Sequence, residues 1–250
     1  MQLTNLSIII LIALAALVFM VYRNVTSQLT EKTYVSTTYI YVFMALLLIV
    51  LINDLNFIQI DSGMKYTALG FLALILVVAL QFVSQENQVM KHLIWIALIG
   101  SIGLLLSPVI DAAKSQNILN KVLITISVMF IVMTYFAYTQ PLGYLDTWQP
   151  YLYAGLIGIV VASLANVIFS DLGSSGFNTR DLVISGIVVL LFNGFLFYDT
   201  QRIIKESQVL SNVCVGRDNL ACADYPTKSL SVILDIINLF TATTNVYSKY

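Results

Sequence analysis

Two aspartates in apolar surroundings are the residues of this chain whose type and spacing could do chemistry. Asp235 lies inside an apolar run near the C-terminus, and Asp199 ends an earlier apolar run in the string FYDTQRII. On insertion scales, a carboxylate at membrane depth costs roughly 2.5–3.5 kcal/mol, so each aspartate needs a partner, a proton or a cation. An ionisable residue in a membrane segment is a functional-site hypothesis by default. Asp199 and Asp235 are therefore the candidate site.

If the two carboxylates meet, they form a site for a proton or a cation. Neighbouring carboxylates cannot both ionise cheaply, so the pair is expected to share a proton and to titrate as a unit. Carboxylate oxygens are also the hard ligands that Ca²⁺ takes, so calcium could replace that proton in a pH-dependent way. A structural alternative pairs Asp199 with Arg202 at the surface and leaves Asp235 hydrogen-bonded to Asn238 or a nearby hydroxyl. Both interpretations remain open at the level of sequence.

The composition places these aspartates in an integral membrane protein. Hydrophobic residues make up 59% and charged residues 10% of the chain, against about 45–50% and about 25% in soluble proteins. Apolar segments long enough for transmembrane helices, and lacking the alternation of barrel strands, fall at roughly 7–22, 37–53, 66–84, 92–110, 122–139, 151–170, 182–200 and 229–247. The sequence thus predicts an all-α membrane bundle.

The first apolar segment is expected to be a retained transmembrane helix rather than a cleaved signal. The residues before it, Met1–Ser7, contain no Lys or Arg, and no small-residue cleavage motif follows it cleanly. We therefore divide the chain into an extra N-terminal helix with its linker, residues 1–30, and a transmembrane bundle, residues 31–250. Lipid is the expected surrounding of both parts.

The last apolar segment carries a polar stripe. On a helical wheel, five polar side chains fall within an arc of roughly 120°: Ser231, Asp235, Asn238, Thr241 and Asn245. The apolar residues of this segment contribute roughly −4 kcal/mol to insertion, and Asp235 alone opposes this by about 3 kcal/mol. Such a helix is marginal in lipid by itself. We expect it to be the buried helix of the bundle, with the stripe facing a cavity or a partner helix.

The two cysteines lie in the longest polar loop. The spacing of Cys214 and Cys222 suits a small disulfide-closed turn. The distribution of Lys and Arg, however, places the 23–36 and 202–228 loops in the cytosol, where disulfides rarely persist. A disulfide and two free thiols are both open alternatives, and without a nearby histidine or second cysteine pair a zinc site is not expected.

At the two aspartates the chain resembles the Bax inhibitor family, the transmembrane Bax inhibitor motif proteins. The strings LLFNGFLFYDTQRII and SLSVILDIINLF resemble the C-terminal signature of that family. Upstream, GLLLSPVIDAA, which includes Asp111, is similar to the third-helix segment with its proline and acidic residue. TYVSTTYIYVFMALLL resembles the start of the first helix. The resemblance covers about residues 31–247.

The resemblance implies a seven-helix bundle with the last helix at its centre, here with an extra helix before it. It also implies a pH-sensitive calcium leak channel with a role in suppressing cell death. Asp199 and Asp235 match the paired aspartates that gate the pore and sense protons, and Asp111 is a further acidic candidate. The 66–84 segment lacks the arginine that latches the pair in bacterial relatives, and the loop bearing both cysteines is longer than in the family.

Other functions stay open. A non-conducting membrane scaffold would use the polar stripe only for packing. An intramembrane aspartyl protease would use both carboxylates on water, but those enzymes carry G-x-G-D where this chain has Ile233-Leu234-Asp235. No other hydrolase or nucleotide-binding motif is present, so we expect no enzyme activity.

Expected partners and location follow from the same features. Calcium is expected as the transported ion, with no cofactor, and the net charge of −1 disfavours nucleic-acid binding. The resemblance favours an internal membrane, such as the endoplasmic reticulum or a Golgi-like membrane, if the chain is eukaryotic or encoded by a virus. The sequence does not identify protein partners.

Overall fold

Every described element of the chain is an α-helix. The computed structural model describes residues 4–55, 63–169, 177–214 and 219–249. Side chains are described throughout those ranges except at 163–169, 177–180, 220 and 221. The helices are α1 (Asn5–Thr26), α2 (Glu31–Leu55), α3 (Gly63–Phe82), α4 (Gln88–Ser115), α5 (Leu119–Thr139), α6 (Gln149–Phe169), α7 (Phe177–Val213), α8 (Asn219–Cys222) and α9 (Tyr225–Tyr247). A helix covers each apolar segment predicted from the sequence, which confirms the all-α prediction.

Most of these helices are long and apolar enough to cross a membrane. Within the described ranges, seven meet that description: α1, α2, α3, α4, α5, α7 from Asp181 onward, and α9. The described side chains of α6 form a shorter apolar stretch, Gln149–Ala162. The protein is therefore an all-α, multi-pass integral membrane protein.

Helix α9 is the most buried of the described spans. In its apolar stretch 61% of the residues are buried, against at most 44% in any other span and 11% in α3. A helix with Asp235 and several hydroxyl and amide groups gains little from lipid, so it is stable only when other helices surround it. The prediction that the last helix is the buried one is confirmed.

The chain divides into two compact units. The N-terminal unit comprises Met1–Pro108 and Glu206–Ile233, and the C-terminal unit comprises Val109–Lys205 and Leu234–Tyr250. Helices α4, α7 and α9 each contribute to both units. The contacts group α1 with the N-terminal unit, and the division of the chain at residue 30 stays a prediction.

In the N-terminal unit, side chains hold α1 at both ends. At its start, the Ser7 hydroxyl donates a hydrogen bond to the Asp54 carboxylate of α2. At its end, the side-chain amide of Asn219 donates to the backbone carbonyl groups of Val25, at 3.0 Å, and Ser27. The last carbonyl groups of a helix have no partner within the helix, so Asn219 supplies one.

A buried ion pair fixes the start of α9. Lys91 is 3% exposed, and its Nζ lies 2.5 Å from Oδ2 of Asp224. The other carboxylate oxygen of Asp224 accepts a hydrogen bond from the backbone N–H of Thr227, which makes Asp224 the N-terminal cap of α9. Asp224 therefore caps α9, and its ion pair with Lys91 attaches the start of α9 to α4.

Aromatic rings surround this start of α9. Tyr225 stacks on Tyr41, with ring centroids 5.8 Å apart, and lies 5.5 Å from the ring of Tyr34. Tyr41 also meets Trp95 edge-on at 5.4 Å. All four side chains are at most 3% exposed. Tyr225, the first residue of α9, therefore packs into a buried aromatic cluster with side chains of α2 and α4.

In the C-terminal unit, two glycines bring α6 and α7 close together. A Cβ atom at Gly155 would lie 2.9 Å from the Leu191 side chain, and one at Gly194 would lie 2.9 Å from the Leu152 side chain. Both distances are shorter than a normal carbon contact, so only glycine fits without a shift of these leucines. This contact positions α7, the helix that carries Asp199.

Removal of one partner of the buried ion pair should destabilise the N-terminal unit more than removal of both charges. Lys91→Met leaves the Asp224 charge buried without its partner and should cost about 3–5 kcal/mol. The double variant Lys91→Met/Asp224→Asn keeps an N-cap acceptor without a charge and should recover much of that loss. Thermal unfolding in detergent measures both. Lys205→Met, which breaks an exposed ion pair with Asp146, is the matched control and should change little. A double variant less stable than the single one would contradict this account.

Candidate functional site

Asp199 of α7 and Asp235 of α9 come together in the C-terminal unit. They are 8% and 5% exposed, and their carboxyl groups are within hydrogen-bonding reach of each other. Two carboxyl groups can be joined by a hydrogen bond only if one of them carries a proton. The geometry is therefore that of a carboxyl pair with a single shared proton.

A second contact sets the register of α7 against α9. Nζ of Lys249 lies 2.9 Å from Oδ2 of Asp181, so the two helices run antiparallel in this unit, with this ion pair at one end and the carboxyl pair towards the other. At a rise of 1.5 Å per residue, the two pairs are about 21 Å apart counted from Asp235 to Lys249 and about 27 Å apart counted along α7. The carboxyl pair thus lies deep along the shared length of the helices.

The residues after Asp199 hold its helix in place. Nε2 of Gln201 donates hydrogen bonds to the backbone carbonyl groups of Pro141, at 3.2 Å, and Ala137, at 3.5 Å. The Ala137 carbonyl group lies in the last turn of α5, where a helix cannot satisfy its own acceptors. Pro141 follows two residues after the helix. Thr200 donates to the Leu196 carbonyl within α7. Gln201 therefore links α7 to the end of α5, two residues from Asp199.

Charged residues at this end of α7 are exposed. Lys205 pairs with Asp146 at 2.7 Å, both more than half exposed, and the charge of Arg202 acts on the neighbouring Tyr198 hydroxyl. Arg202 is exposed whereas Asp199 is buried. The burial of Asp199 beside Asp235 disfavours the alternative in which Asp199 takes part only in a surface pair.

The other residues of the predicted stripe either form hydrogen bonds within their own helix or are exposed. Ser231, Asn238 and Thr241 are partly buried, and each donates to a carbonyl group three or four residues earlier in its own helix. Asn245 is exposed, as is Asp111 on α4. Of the predicted site residues in the C-terminal unit, the structure brings together only Asp199 and Asp235.

Most of the buried side-chain atoms without a hydrogen-bond partner belong to the C-terminal unit. Nine buried side-chain atoms of the described residues have no hydrogen-bond partner, and six of them, all oxygens, belong to the C-terminal unit: Thr134 Oγ1, Asn193 Oδ1, Gln201 Oε1, Asp235 Oδ2, Thr243 Oγ1 and Thr244 Oγ1. Sequence analysis missed Thr243 and Thr244. Buried polar atoms are normally hydrogen-bonded, so these oxygens distinguish the C-terminal unit from the N-terminal one.

The donor set suits a weakly held hard cation. Within the described residues, no group of three or more His, Cys, Asp or Glu side chains could hold a metal ion. Asp199 and Asp235 supply the two carboxyl groups of the site. The other partnerless buried oxygens among the described residues of the C-terminal unit belong to neutral amide and hydroxyl groups. Ca²⁺ takes six to eight oxygen ligands, so water would have to complete its shell.

The cysteines form a disulfide in the structure. Cys214 and Cys222 are bonded, with their Cα atoms 6.1 Å apart. Of the two alternatives that the sequence left open, the structure has the bond. Disulfides persist in oxidising compartments, whereas the Lys and Arg distribution places this loop in the cytosol. The disulfide therefore favours an oxidising compartment for this loop, whereas the charge distribution favours the cytosol.

Together, the fold and the site define a class: a multi-pass helical membrane protein with a paired carboxyl site on its last two spans. The comparison with protein families agrees. The family described as "Inhibitor of apoptosis-promoting Bax1" matches residues 31–246, which include both aspartates. The chain belongs to this family, the Bax inhibitor family, and α1 lies outside the matched residues.

Bacterial relatives share parts of the sequence. A membrane protein of Streptococcus pyogenes serotype M3, called uncharacterized, is 28% identical over 79% of this chain and 80% of its own length. A protein of Borreliella burgdorferi is 36% identical over 44% of this chain, and a membrane protein of Vibrio cholerae is 32% identical over 37%. The matched segments span 43% of the Borreliella protein and 32% of the Vibrio protein. The Streptococcus and Vibrio relatives are both called membrane proteins.

Gln201 should be required for the stability of this site. Gln201→Leu keeps the bulk of the side chain but removes the donor to the Ala137 carbonyl group and one of the two donors to the Pro141 carbonyl group, which also accepts from the Tyr144 N–H. The cost should be about 1–3 kcal/mol. Thermal unfolding in detergent should show the loss. Gln208→Leu, an exposed glutamine on the same helix, is the control. Equal melting temperatures for the Gln201 variant and the wild type would contradict the assigned role.

The disulfide can be tested by thiol labelling. Denatured protein that has not been reduced should take up no maleimide, because both cysteines are bonded, and reduction should expose two reactive thiols. The shift in electrophoretic mobility with a polyethylene-glycol maleimide counts them. Labelling of both cysteines without a reductant, in protein isolated from its own membrane, would show that the thiols are free.

Proposed function

We propose that this protein is a pH-sensitive calcium leak channel in which the Asp199–Asp235 pair is the gate and ion-binding site. The observation that carries the proposal is the meeting of two buried carboxyl groups on α7 and α9. Intramembrane carboxyl groups mark ion and proton pathways as a rule, because their burial has a cost that packing alone does not require. Membership of the Bax inhibitor family supports the same function through the family resemblance.

The shared proton explains how such a site responds to pH. With the proton in place, the pair carries a single negative charge and a hydrogen bond holds α7 against α9. When the proton leaves, two negative charges face each other in a medium of low dielectric constant and repel strongly. Either the helices separate or a cation enters between them. A divalent cation compensates both charges, so loss of the proton favours calcium.

Calcium is the transported ion in this proposal and not a resident cofactor. Two carboxylates and neutral oxygens give a site that holds Ca²⁺ weakly, since affinity rises with the number of charged ligands. Weak binding allows the ion to leave again, which conduction requires. A role in suppressing cell death and a place in an internal membrane are part of the same proposal and are supported by the family resemblance alone.

Calcium flux into liposomes tests the proposal. The purified protein should admit Ca²⁺ to liposomes loaded with a calcium dye, and the flux should rise as pH increases from about 6 to about 8, by at most about tenfold per pH unit because one proton is exchanged. Asp235→Asn should abolish the pH response, because an amide donates to Asp199 at every pH. Asp146→Asn, which alters an exposed carboxyl group of the same unit, should retain it.

Other outcomes would favour the alternative functions. Absence of flux in the wild type and in both variants would favour a non-conducting scaffold. Cleavage of a transmembrane peptide that is abolished by Asp199→Ala would favour an aspartyl protease. A flux with the same pH response in the wild type and Asp235→Asn would remove the carboxyl pair from the gate.

A further inference from the structure

Asn219, the first residue of α8, holds the C-terminal end of α1. It is 4% exposed. Its side-chain amide donates to the carbonyl groups of Val25, at 3.0 Å, and Ser27, and approaches that of Asn24 at 3.5 Å. A displacement of α8 by about 1 Å would lengthen these contacts beyond hydrogen-bond distance. The position of the α1 end therefore depends on the position of α8.

The disulfide fixes α8 against the end of α7. Cys214 follows α7 directly, and Cys222 is the last residue of α8, eight positions later in the chain. Closing a short stretch of chain removes much of its conformational freedom, and opening the bond restores that freedom. Reduction of the bond should therefore weaken the contact of Asn219 with α1.

The end of α1 is connected to the start of α9 through polar side chains. Nδ2 of Asn24 donates to Oγ1 of Thr37 on α2 at 3.1 Å. Thr37 is 1% exposed and lies within hydrogen-bonding reach of the Tyr225 hydroxyl. Tyr225 stacks on Tyr41, which meets Trp95 edge-on. A shift of the α1 end would thus reach the aromatic cluster and Trp95, all within the N-terminal unit.

The two sulfur atoms of the disulfide belong to residues that differ in exposure. Cys214 is 1% exposed, whereas Cys222 is partly exposed. Because thiol–disulfide exchange depends on access to the sulfur that is attacked, Cys222 is the expected point of attack. The Lys and Arg distribution also places the 202–228 loop in the cytosol, where a disulfide is usually catalytic or redox-sensing. Exposure and charge therefore both favour a bond that is opened and closed.

We propose that the Cys214–Cys222 bond is a site of reversible exchange with a dithiol reductant, and that its reduction releases Asn219 from the end of α1. A thiolate of the reductant forms a bond to Sγ of Cys222. The bond between the two cysteines breaks, and Sγ of Cys214 leaves with the electron pair and takes a proton. The second thiol of the reductant then displaces Cys222 as a thiol and closes the reductant's own disulfide, so two electrons pass to the protein. This exchange does not depend on calcium conduction.

Thiol counting in the folded protein tests the exchange. In lipid nanodiscs and without denaturant, dithiothreitol should open the bond, and oxidised glutathione should close it again after the dithiothreitol is removed. The maleimide mobility shift counts two thiols in the first state and none in the second. A bond that opens only after the protein is denatured would overturn the proposal.

Single-cysteine variants identify the sulfur that is attacked. Cys214→Ser leaves Cys222 as the only thiol, and Cys222→Ser leaves Cys214. Oxidised glutathione should form a mixed disulfide with Cys222 about tenfold faster or more than with Cys214, because Cys222 is the more accessible of the two. Mass spectrometry of the intact variants measures both rates. Equal rates, or a faster reaction at Cys214, would overturn the assignment of Cys222.

Trp95 fluorescence tests the effect on α1. Trp148→Phe leaves Trp95 as the only tryptophan. In that background, reduction should shift the emission to longer wavelength, because looser packing admits water. Asn219→Ala should show the same shift while oxidised and no further shift on reduction. Asn212→Ala, which removes an exposed amide that bonds within α7, is the matched control and should respond to reduction as the parent does.

Two results would overturn the release of α1. One is an emission that reduction leaves unchanged in the parent protein. The other is a full response to reduction in Asn219→Ala, since Asn219 would then not transmit the change. The double variant Cys214→Ser/Cys222→Ser serves as a second check, because it should show the emission of the reduced parent without any reductant.

Discussion

The contact between two buried carboxyl groups is the interaction on which the C-terminal unit depends. Asp199 and Asp235 are within hydrogen-bonding reach at the α7–α9 interface, and two ionised carboxylates would repel each other there. The contact between these helices is therefore conditional on a proton or a cation. Neighbouring helices determine the position of α7 in this contact. Gly155 and Gly194 allow α7 to pack closely against α6, and Gln201 bonds it to the end of α5.

The two units bury charge in opposite ways. In the N-terminal unit, the buried Asp224 has a basic partner, Lys91. In the C-terminal unit, the buried Asp199 lies beside a second buried acid, Asp235. An ion pair is insensitive to moderate changes of pH, whereas a carboxyl pair exchanges its proton or binds a cation. The N-terminal unit thus holds the first turn of α9, and the part of α9 in the C-terminal unit carries the responsive group.

The sequence predicted the helices and the carboxyl pair because both follow from the cost of polar groups in lipid. Each apolar segment had to be a helix, and Asp199 and Asp235 were the carboxyl groups that lipid could not accept. The polar stripe predicted the site residues of α9 less well, because a helical wheel assumes that polar side chains lie on a single face of the helix. Helix α9 is buried on most of its surface, so a side chain can be buried on any face, as Thr243 and Thr244 are. Whether a threonine hydroxyl bonds its own helix or faces a neighbour depends on tertiary contacts.

The extra helix and the disulfide-bearing loop belong together for a structural reason. Helix α1 ends outside the residues shared with the family, and its last carbonyl groups need donors. Asn219 supplies them, and it lies inside the loop that Cys214 and Cys222 close. A closed loop restricts the positions of Asn219 in the unfolded chain and so favours its contact with α1. Because Asp224, the cap of α9, follows the same loop directly, a change in the loop would act on α1 and on the start of the buried helix together.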